Sequence, residues 1–152
     1  NARIVLHGVS MGAATVLMAS GEDLPGNVKA VIADCGYTSE WDEFQREADT
    51  LHIPWFPVLN ATSVLSKVRD GYDFKQASAL AQVKKSRIPT LFIHGSSDEL
   101  VPYSMLGELY AAAACEKEEL TVEGAGHALS SSVAPTLYWR TVEDFIAKYL
   151  DR

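Results

Sequence analysis

The pentapeptide Gly8-Val9-Ser10-Met11-Gly12 stands between the apolar run Ile4-Val5-Leu6 and a helix-favouring stretch at 13–19. β-forming residues, a glycine turn and a helix former in this order predict a strand, a sharp turn and a helix. A serine at such a turn projects its hydroxyl clear of the sheet, and the flanking glycines remove side chains that would collide there. The stretch therefore predicts a nucleophile at Ser10, with the backbone N–H of Met11 as an oxyanion-hole donor.

Two other interpretations of this glycine-rich turn are a purely structural turn and a nucleotide-binding loop. A dinucleotide-binding fingerprint needs a second glycine at the position that Ser10 occupies. A phosphate-binding loop ends in Gly-Lys-Ser or Gly-Lys-Thr, which this stretch lacks. The nucleophile is the better interpretation.

Strands and helices alternate along the rest of the chain. Apolar runs rich in β-formers predict strands at 28–33, 89–94 and 119–122, and helical periodicity predicts helices at 103–114 and 134–150. Because alternating strands and helices form parallel sheets, we expect an α/β fold with about four parallel strands flanked by helices.

The segment from Tyr37 to Ser86 interrupts this rhythm. It is about fifty residues long, whereas ordinary connections in such folds take a handful of residues. Its two central prolines, Pro54 and Pro57, would interrupt any single helix. We expect two or three short helices in it.

A serine hydroxyl needs a neighbouring base to take its proton, so one of the four histidines should serve it. His127 is the best candidate, because Gly124-Ala125-Gly126 precedes it in a flexible loop after the fourth strand. His7 and His94 lie in predicted strands and His52 lies in the long segment, so each has an ordinary structural explanation.

The carboxylate that orients the base is predicted from topology. Asp98 follows the third strand, at the carboxyl edge of the sheet where catalytic groups of open α/β folds gather. The order serine, aspartate, histidine is also that of α/β-hydrolases. Two rivals remain: Asp34, directly after the second strand, and Glu99, beside Asp98, each of which could equally be a solvated turn carboxylate.

Composition narrows the classes of partner. The 152 residues are 47% hydrophobic and 22% charged, as in one compact domain, and the net charge of −7 argues against nucleic acid. Cys35 and Cys115 have no CxxC spacing, so neither a zinc site nor a disulfide framework is indicated, and a reducing cytoplasm fits best. No apolar run is long enough to span a membrane. We expect no metal and no cofactor.

The motifs together resemble bacterial α/β-hydrolases of the prolyl-oligopeptidase-like and serine-aminopeptidase-like group. The likeness extends from Ile4 to about Tyr149. The segments that carry it are His7-Gly8-Val9-Ser10-Met11-Gly12, Ala33-Asp34-Cys35-Gly36-Tyr37-Thr38-Ser39, and those around Asp98 and His127.

The resemblance implies a cofactor-free hydrolase of carboxylic esters or amides that works through an acyl-enzyme. It gives Ser10 the role of nucleophile, Asp98 that of acid and His127 that of base, with Met11 as oxyanion donor. The competing expectation is a non-catalytic scaffold on the same fold. Fold and site motifs alone do not identify the acyl or leaving group.

In such enzymes the segment equivalent to 37–86 commonly forms a cap over the acyl site. The resemblance therefore makes Trp41, Trp55 and Phe56 candidate substrate-binding residues. It is equally open that these aromatic side chains pin the cap to the body of the domain.

The resemblance also implies that residues 1–152 form a partial domain. Four strands precede the nucleophile turn in the family, together with the loop that gives the second oxyanion donor, so we expect little activity from this half alone. A strand at 3–7 without an outer neighbour would expose an apolar edge, and the helix at 13–19 would be uncovered. We expect the chain to associate with itself or with the missing N-terminal half.

Overall fold

The computed structural model describes residues 2–150. Its strands form one parallel sheet in the order β1-β2-β3-β4, and helices flank the sheet, so the predicted α/β class is confirmed. The strands are β1 Ile4–Val9, β2 Val28–Asp34, β3 Thr90–Gly95 and β4 Lys117–Val122. The helices are α1 Met11–Ser20, α2 Glu40–Thr50, α3 Trp55–Asp70, α4 Ala79–Val83, α5 Ser104–Ala112, α6 Ser130–Val133 and α7 Pro135–Leu150.

The two middle strands separate two hydrophobic clusters. Alternate side chains of a strand point to opposite faces of the sheet. Val31 and Ala33 of β2 therefore pack with α1, α4 and α5, whereas Ala30 and Ile32 pack with α7. Every residue of β3 is buried, as expected for a strand with helices on both faces.

Two elements differ from the sequence expectation. β4 begins at Lys117, two residues before the predicted strand, and the short helix α6 was not predicted. The first residues of β4 are charged, so they do not form part of an apolar run and the sequence pattern did not include them in the strand. They still pair with β3, where Thr90 lies opposite Lys117 and Leu91 opposite Glu118.

The segment 37–86 contains three helices, α2, α3 and α4, in agreement with the prediction. α3 is longer than expected at 16 residues and begins directly after Pro54. Phe56 leaves the helical conformation (φ −97°, ψ 130°) because the following Pro57 disfavours it there. None of the helices within residues 2–150 is long and apolar enough to cross a membrane.

Within residues 2–150, β1 pairs with β2 alone and forms one edge of the sheet. Ile4 and Val9 at its ends are exposed, in contrast to the neighbouring strand β2, whose last five residues are buried. Association of the chain through this edge stays a prediction, and light scattering on the purified chain would test it.

Candidate active site

Ser10 lies at the tight turn between β1 and α1. Its backbone adopts φ 57° and ψ −120°, and its N–H donates to the carbonyl of Asp34 at 2.8 Å. A Cβ on Gly8 would run into the Gly12 carbonyl, so this glycine is required by close approach. A Cβ on Gly12 would meet nothing within 4 Å among the described residues, so the predicted crowding holds for Gly8 only.

The hydroxyl of Ser10 contacts an imidazole. Its Oγ lies 2.7 Å from Nε2 of His127, and Nδ1 of the same ring lies 2.9 Å from Oδ2 of Asp98. The loop that carries His127 is tied to the end of β3, since Ser97 N–H donates to the Ala125 carbonyl at 3.0 Å. The structure therefore brings together the three side chains that the sequence singled out.

Asp98 is buried and accepts several hydrogen bonds. Oδ1 accepts the N–H groups of Leu100 and Val101 at 3.0 and 2.9 Å. Nε2 of His94 lies 3.2 Å from Oδ2 of Asp98 and 3.0 Å from the Val101 carbonyl. Hydrogen bonds to a carboxylate are stronger than neutral ones, so they fix the carboxyl group toward His127.

The rival carboxylates lie elsewhere. Asp34 is buried and its Oδ1 accepts the hydroxyl of Ser130 at 3.0 Å. Burial raises the pKa of Asp34, against the hydrogen bonds from Ser130 and Tyr138, which lower it. Asp34 thus contacts the first residue of α6, and Glu99 is exposed.

The other histidines have structural partners or lie at the surface. Nε2 of His7 lies 3.0 Å from the Tyr138 hydroxyl, and His94 is buried against Asp98 and Val101. His52 is exposed in the turn after α2.

Cys35 is a residue near the site that sequence reasoning missed. It is fully buried at the end of β2 with φ 49°. Its Sγ and one ligand atom each of Asp98 and His127 all lie within 4.8 Å of one another. Burial raises the pKa of the thiol to about 12, so the free thiol stays protonated at neutral pH. Nothing in the sequence indicated that Cys35 lies near the site, because Asp98 and His127 are distant in sequence and follow other strands.

A cavity of about 570 Å³ borders the turn. Met11 and Thr15 of α1 line one side, and Glu40, Tyr72 and Gln76 of the 37–86 segment line the other. Sequence reasoning did not identify these residues, because the cavity forms only when α1 and this segment meet.

The aromatic candidates occupy different places in the 37–86 segment. Lys75 Nζ lies 4.4 Å from the ring centre of Trp41, a cation–π contact between two parts of this segment. Trp55 and Phe56 contact each other edge-on, and 66% of Phe56 is exposed. Substrate binding by these three residues stays a prediction.

Glu43 of α2 also interacts with the site. Burial raises its pKa, while Arg46, 3.5 Å away, and the charge of His127 lower it. In the sequence Glu43 and Arg46 form an i,i+3 charge pair, which is common on helices, so the pattern did not indicate that Glu43 lies near the site.

Comparison with known proteins gives relatives over nearly the whole chain. The uncharacterized protein YqkD of Bacillus subtilis is 32% identical over 146 residues, which cover 94% of this chain and 47% of that protein. The alpha/beta hydrolase domain-containing protein WAV2 of Arabidopsis thaliana is 31% identical over 156 residues, covering 97% and 47% respectively. The chain thus spans about half the length of these curated relatives.

Solved structures agree on the fold. An esterase from Pyrococcus furiosus matches with a TM-score of 0.71 at 20% identity, covering 97% of this chain and 55% of that one. The acylaminoacyl peptidase of Pyrococcus horikoshii matches with a TM-score of 0.70 at 17% identity, covering 99% and 24%. The model of the prolyl oligopeptidase family matches residues 1–152. This chain therefore belongs to the prolyl oligopeptidase family and has the fold of an α/β-hydrolase fragment.

Proposed function

We propose that this chain carries the catalytic residues of a serine hydrolase of carboxylic esters, with amides as a second substrate class. Ser10 is the nucleophile, His127 the general base and Asp98 the acid that orients it. The observation that carries the proposal is the continuous path from Ser10 Oγ to His127 Nε2, at 2.7 Å, and from His127 Nδ1 to Asp98 Oδ2, at 2.9 Å.

The geometry suits acyl transfer. Ser10 donates its hydroxyl proton to Nε2 of His127 as Oγ attacks the substrate carbonyl, and the imidazolium then protonates the leaving group. The carboxylate of Asp98 holds the Nδ1–H tautomer and stabilises the imidazolium. Water then attacks the acyl-enzyme with His127 again as base, which releases the acid and restores Ser10.

The backbone of Met11 supplies an oxyanion donor in this proposal. Met11 is the first residue of α1, so its N–H has no acceptor inside the helix. Loss of one such donor costs about 10²–10³ in turnover in a well-studied protease. The donor at Met11 therefore makes a large contribution to turnover in the proposed mechanism.

Two further observations support hydrolysis. The esterase and the acylaminoacyl peptidase that share the fold are, by name, enzymes of ester and acyl-peptide cleavage. The cavity beside Met11 is about 570 Å³, within the size range of small-molecule sites, and could hold the acyl or leaving group.

Labelling with a fluorophosphonate probe tests the proposal without requiring turnover. The folded chain should form one covalent adduct on Ser10, because only a serine next to a base reacts readily. Ser10→Ala should abolish the adduct, and Ser104→Ala, at an exposed serine that begins α5, should leave it unchanged. Equal labelling of the Ser10→Ala variant, or none of the folded wild type, would favour a non-catalytic scaffold.

A further inference from the structure

We propose that Cys35, Asp98 and His127 form an inhibitory site for a soft divalent cation of the Zn²⁺ class. Among residues 2–150, these three side chains form the one group of three or more potential metal ligands that lie close together. Binding depends on the arrangement of these side chains alone, whereas the inhibition rests on the proposed function.

The ligand atoms are close enough for one metal ion. Sγ of Cys35, one imidazole nitrogen and one carboxylate oxygen lie within 4.8 Å of one another. Zinc bonds of roughly 2.0–2.3 Å in a tetrahedron place the ligand atoms roughly 3.5 Å apart. Nδ1 of His127 and Oδ2 of Asp98, now 2.9 Å apart, would separate slightly, and the sulfur would approach by about 1.3 Å at most.

The surroundings hold two of the ligands in place. Asp98 accepts N–H groups of Leu100 and Val101 on Oδ1 and lies 3.2 Å from His94 on Oδ2, so its carboxylate remains oriented when the contact to His127 is replaced. The N–H of Cys35 donates to the Ile93 carbonyl at 2.9 Å, which fixes its backbone. Such outer-shell hydrogen bonds orient ligands and strengthen metal binding.

The chemistry of the ligands selects the cation. A thiolate and an imidazole favour Zn²⁺ or Cd²⁺, whereas Mg²⁺ and Ca²⁺ prefer sites made of oxygen ligands. Three protein ligands leave the fourth position of a tetrahedral ion to water. The thiol of Cys35 loses its proton to solvent when its sulfur binds the metal, so the site gains one metal–sulfur bond and releases one proton.

Metal binding would block the base. In the proposed mechanism His127 carries its proton on Nδ1, beside Asp98, and accepts the hydroxyl of Ser10 at Nε2. A cation on Nδ1 shifts that proton to Nε2, which then donates a hydrogen bond to Ser10 Oγ. In this form Nε2 has no free lone pair and cannot take the proton of Ser10. The cation thus inhibits by changing the tautomer of His127, without occupying the cavity beside Met11.

Cobalt binding tests the site independently of activity. We expect the metal-free 152-residue chain to bind one Co²⁺ with a thiolate-to-cobalt absorption band, and Zn²⁺ to remove the band by displacement. Cys35→Ser should abolish the band and weaken Zn²⁺ binding by about tenfold or more, because loss of even a residue that only hydrogen-bonds to a ligand lowers metal affinity by that much. Cys115→Ser is the matched control, because Cys35 and Cys115 are the two cysteines of the chain.

The control also decides the case if Cys35→Ser folds poorly, as judged by circular dichroism. In Cys115→Ser the thiol of Cys35 is the single thiol left, so a band there supports the site and its absence overturns it. A band that survives in Cys35→Ser would assign the metal to Cys115 and also overturn the proposal. Failure of fluorophosphonate labelling together with a positive cobalt result would instead reject the proposed hydrolase and keep the metal site.

Discussion

The carboxyl edge of the sheet and the 37–86 segment are built in opposite ways. At the edge, three residues adopt positive φ angles, Ser10 (57°), Cys35 (49°) and Ala128 (57°), a conformation that costs roughly 1–3 kcal/mol per residue. In the 37–86 segment His52 is the one non-glycine residue that does so, with φ 56°. By contrast, α2 buries no side chain fully, and α3 buries only Leu59 and Ser63.

Much of the apolar surface of the 37–86 segment is open. Nine large hydrophobic residues there are exposed: Phe44, Leu51, Ile53, Phe56, Val58, Val64, Leu65, Val68 and Tyr72. Three strained backbone angles thus occur close together at the edge, whereas the segment leaves much of its apolar surface open to solvent. We infer that chemistry resides in the edge and selectivity in the segment, and the following predictions test that division.

The largest effect should come from Asp98. We expect Asp98→Asn to lower ester hydrolysis, and the rate of fluorophosphonate labelling with it, by up to about 10⁴, because the amide favours the wrong tautomer of His127 and removes its charge partner. Asp34→Asn should have a much smaller effect, because Asp34 bonds Ser130 and an amide oxygen can accept the same hydroxyl. If Asp34→Asn is the more damaging change, Asp98 is not the acid.

Gly8 should be the next most sensitive position. A Cβ at Gly8 would collide with the Gly12 carbonyl, so Gly8→Ala should destabilise the chain by about 1–3 kcal/mol, as overpacking generally does. Gly12→Ala meets open space within α1 and should stabilise by about 0.5–1 kcal/mol. Urea unfolding of both variants measures the difference, and equal values would show that the turn tolerates side chains.

The edge was predictable because its signals are local. The apolar runs of β2 and β3 end at Asp34 and Gly95, and the glycine turn after β1 and the glycine loop after β4 mark the other two strand ends. The residues that follow these strands therefore share one edge of the sheet. The sequence therefore predicts that Ser10, Asp98 and His127 lie close together.

The rest depends on contacts between distant segments. Cys35 approaches Asp98 only because β2 and β3 are neighbours with one particular register, and the cavity beside Met11 exists only where α1 meets Tyr72. The start of β4 was missed because Lys117 and Glu118 carry no apolar pattern, although their backbones pair fully with β3. Neither local propensity nor periodicity contains this information.

A change in the 37–86 segment should alter substrate binding and leave the chemical step intact. We expect Phe56→Ala to raise KM by about tenfold with kcat nearly unchanged, because loss of an apolar contact made equally in the ground and transition states affects KM alone. Val68→Ala, at an 81% exposed position of α3, is the control and should change neither constant. A fall in kcat for Phe56→Ala would place this residue in the reacting geometry.

The smallest effect should appear in the pH dependence of stability, through the buried Asp34 of the edge. Burial raises the pKa of Asp34 above its ordinary value of 3.8, so the folded state retains a proton that the unfolded state releases. The free energy of unfolding must then fall as pH rises from about 3.8 through the raised pKa, because there the folded state binds more protons. Asp34→Asn should reduce that fall, as measured by urea unfolding at a series of pH values from about 4 upward. An identical fall in Asp34→Asn would mean that ionisation of this carboxyl does not cause the fall.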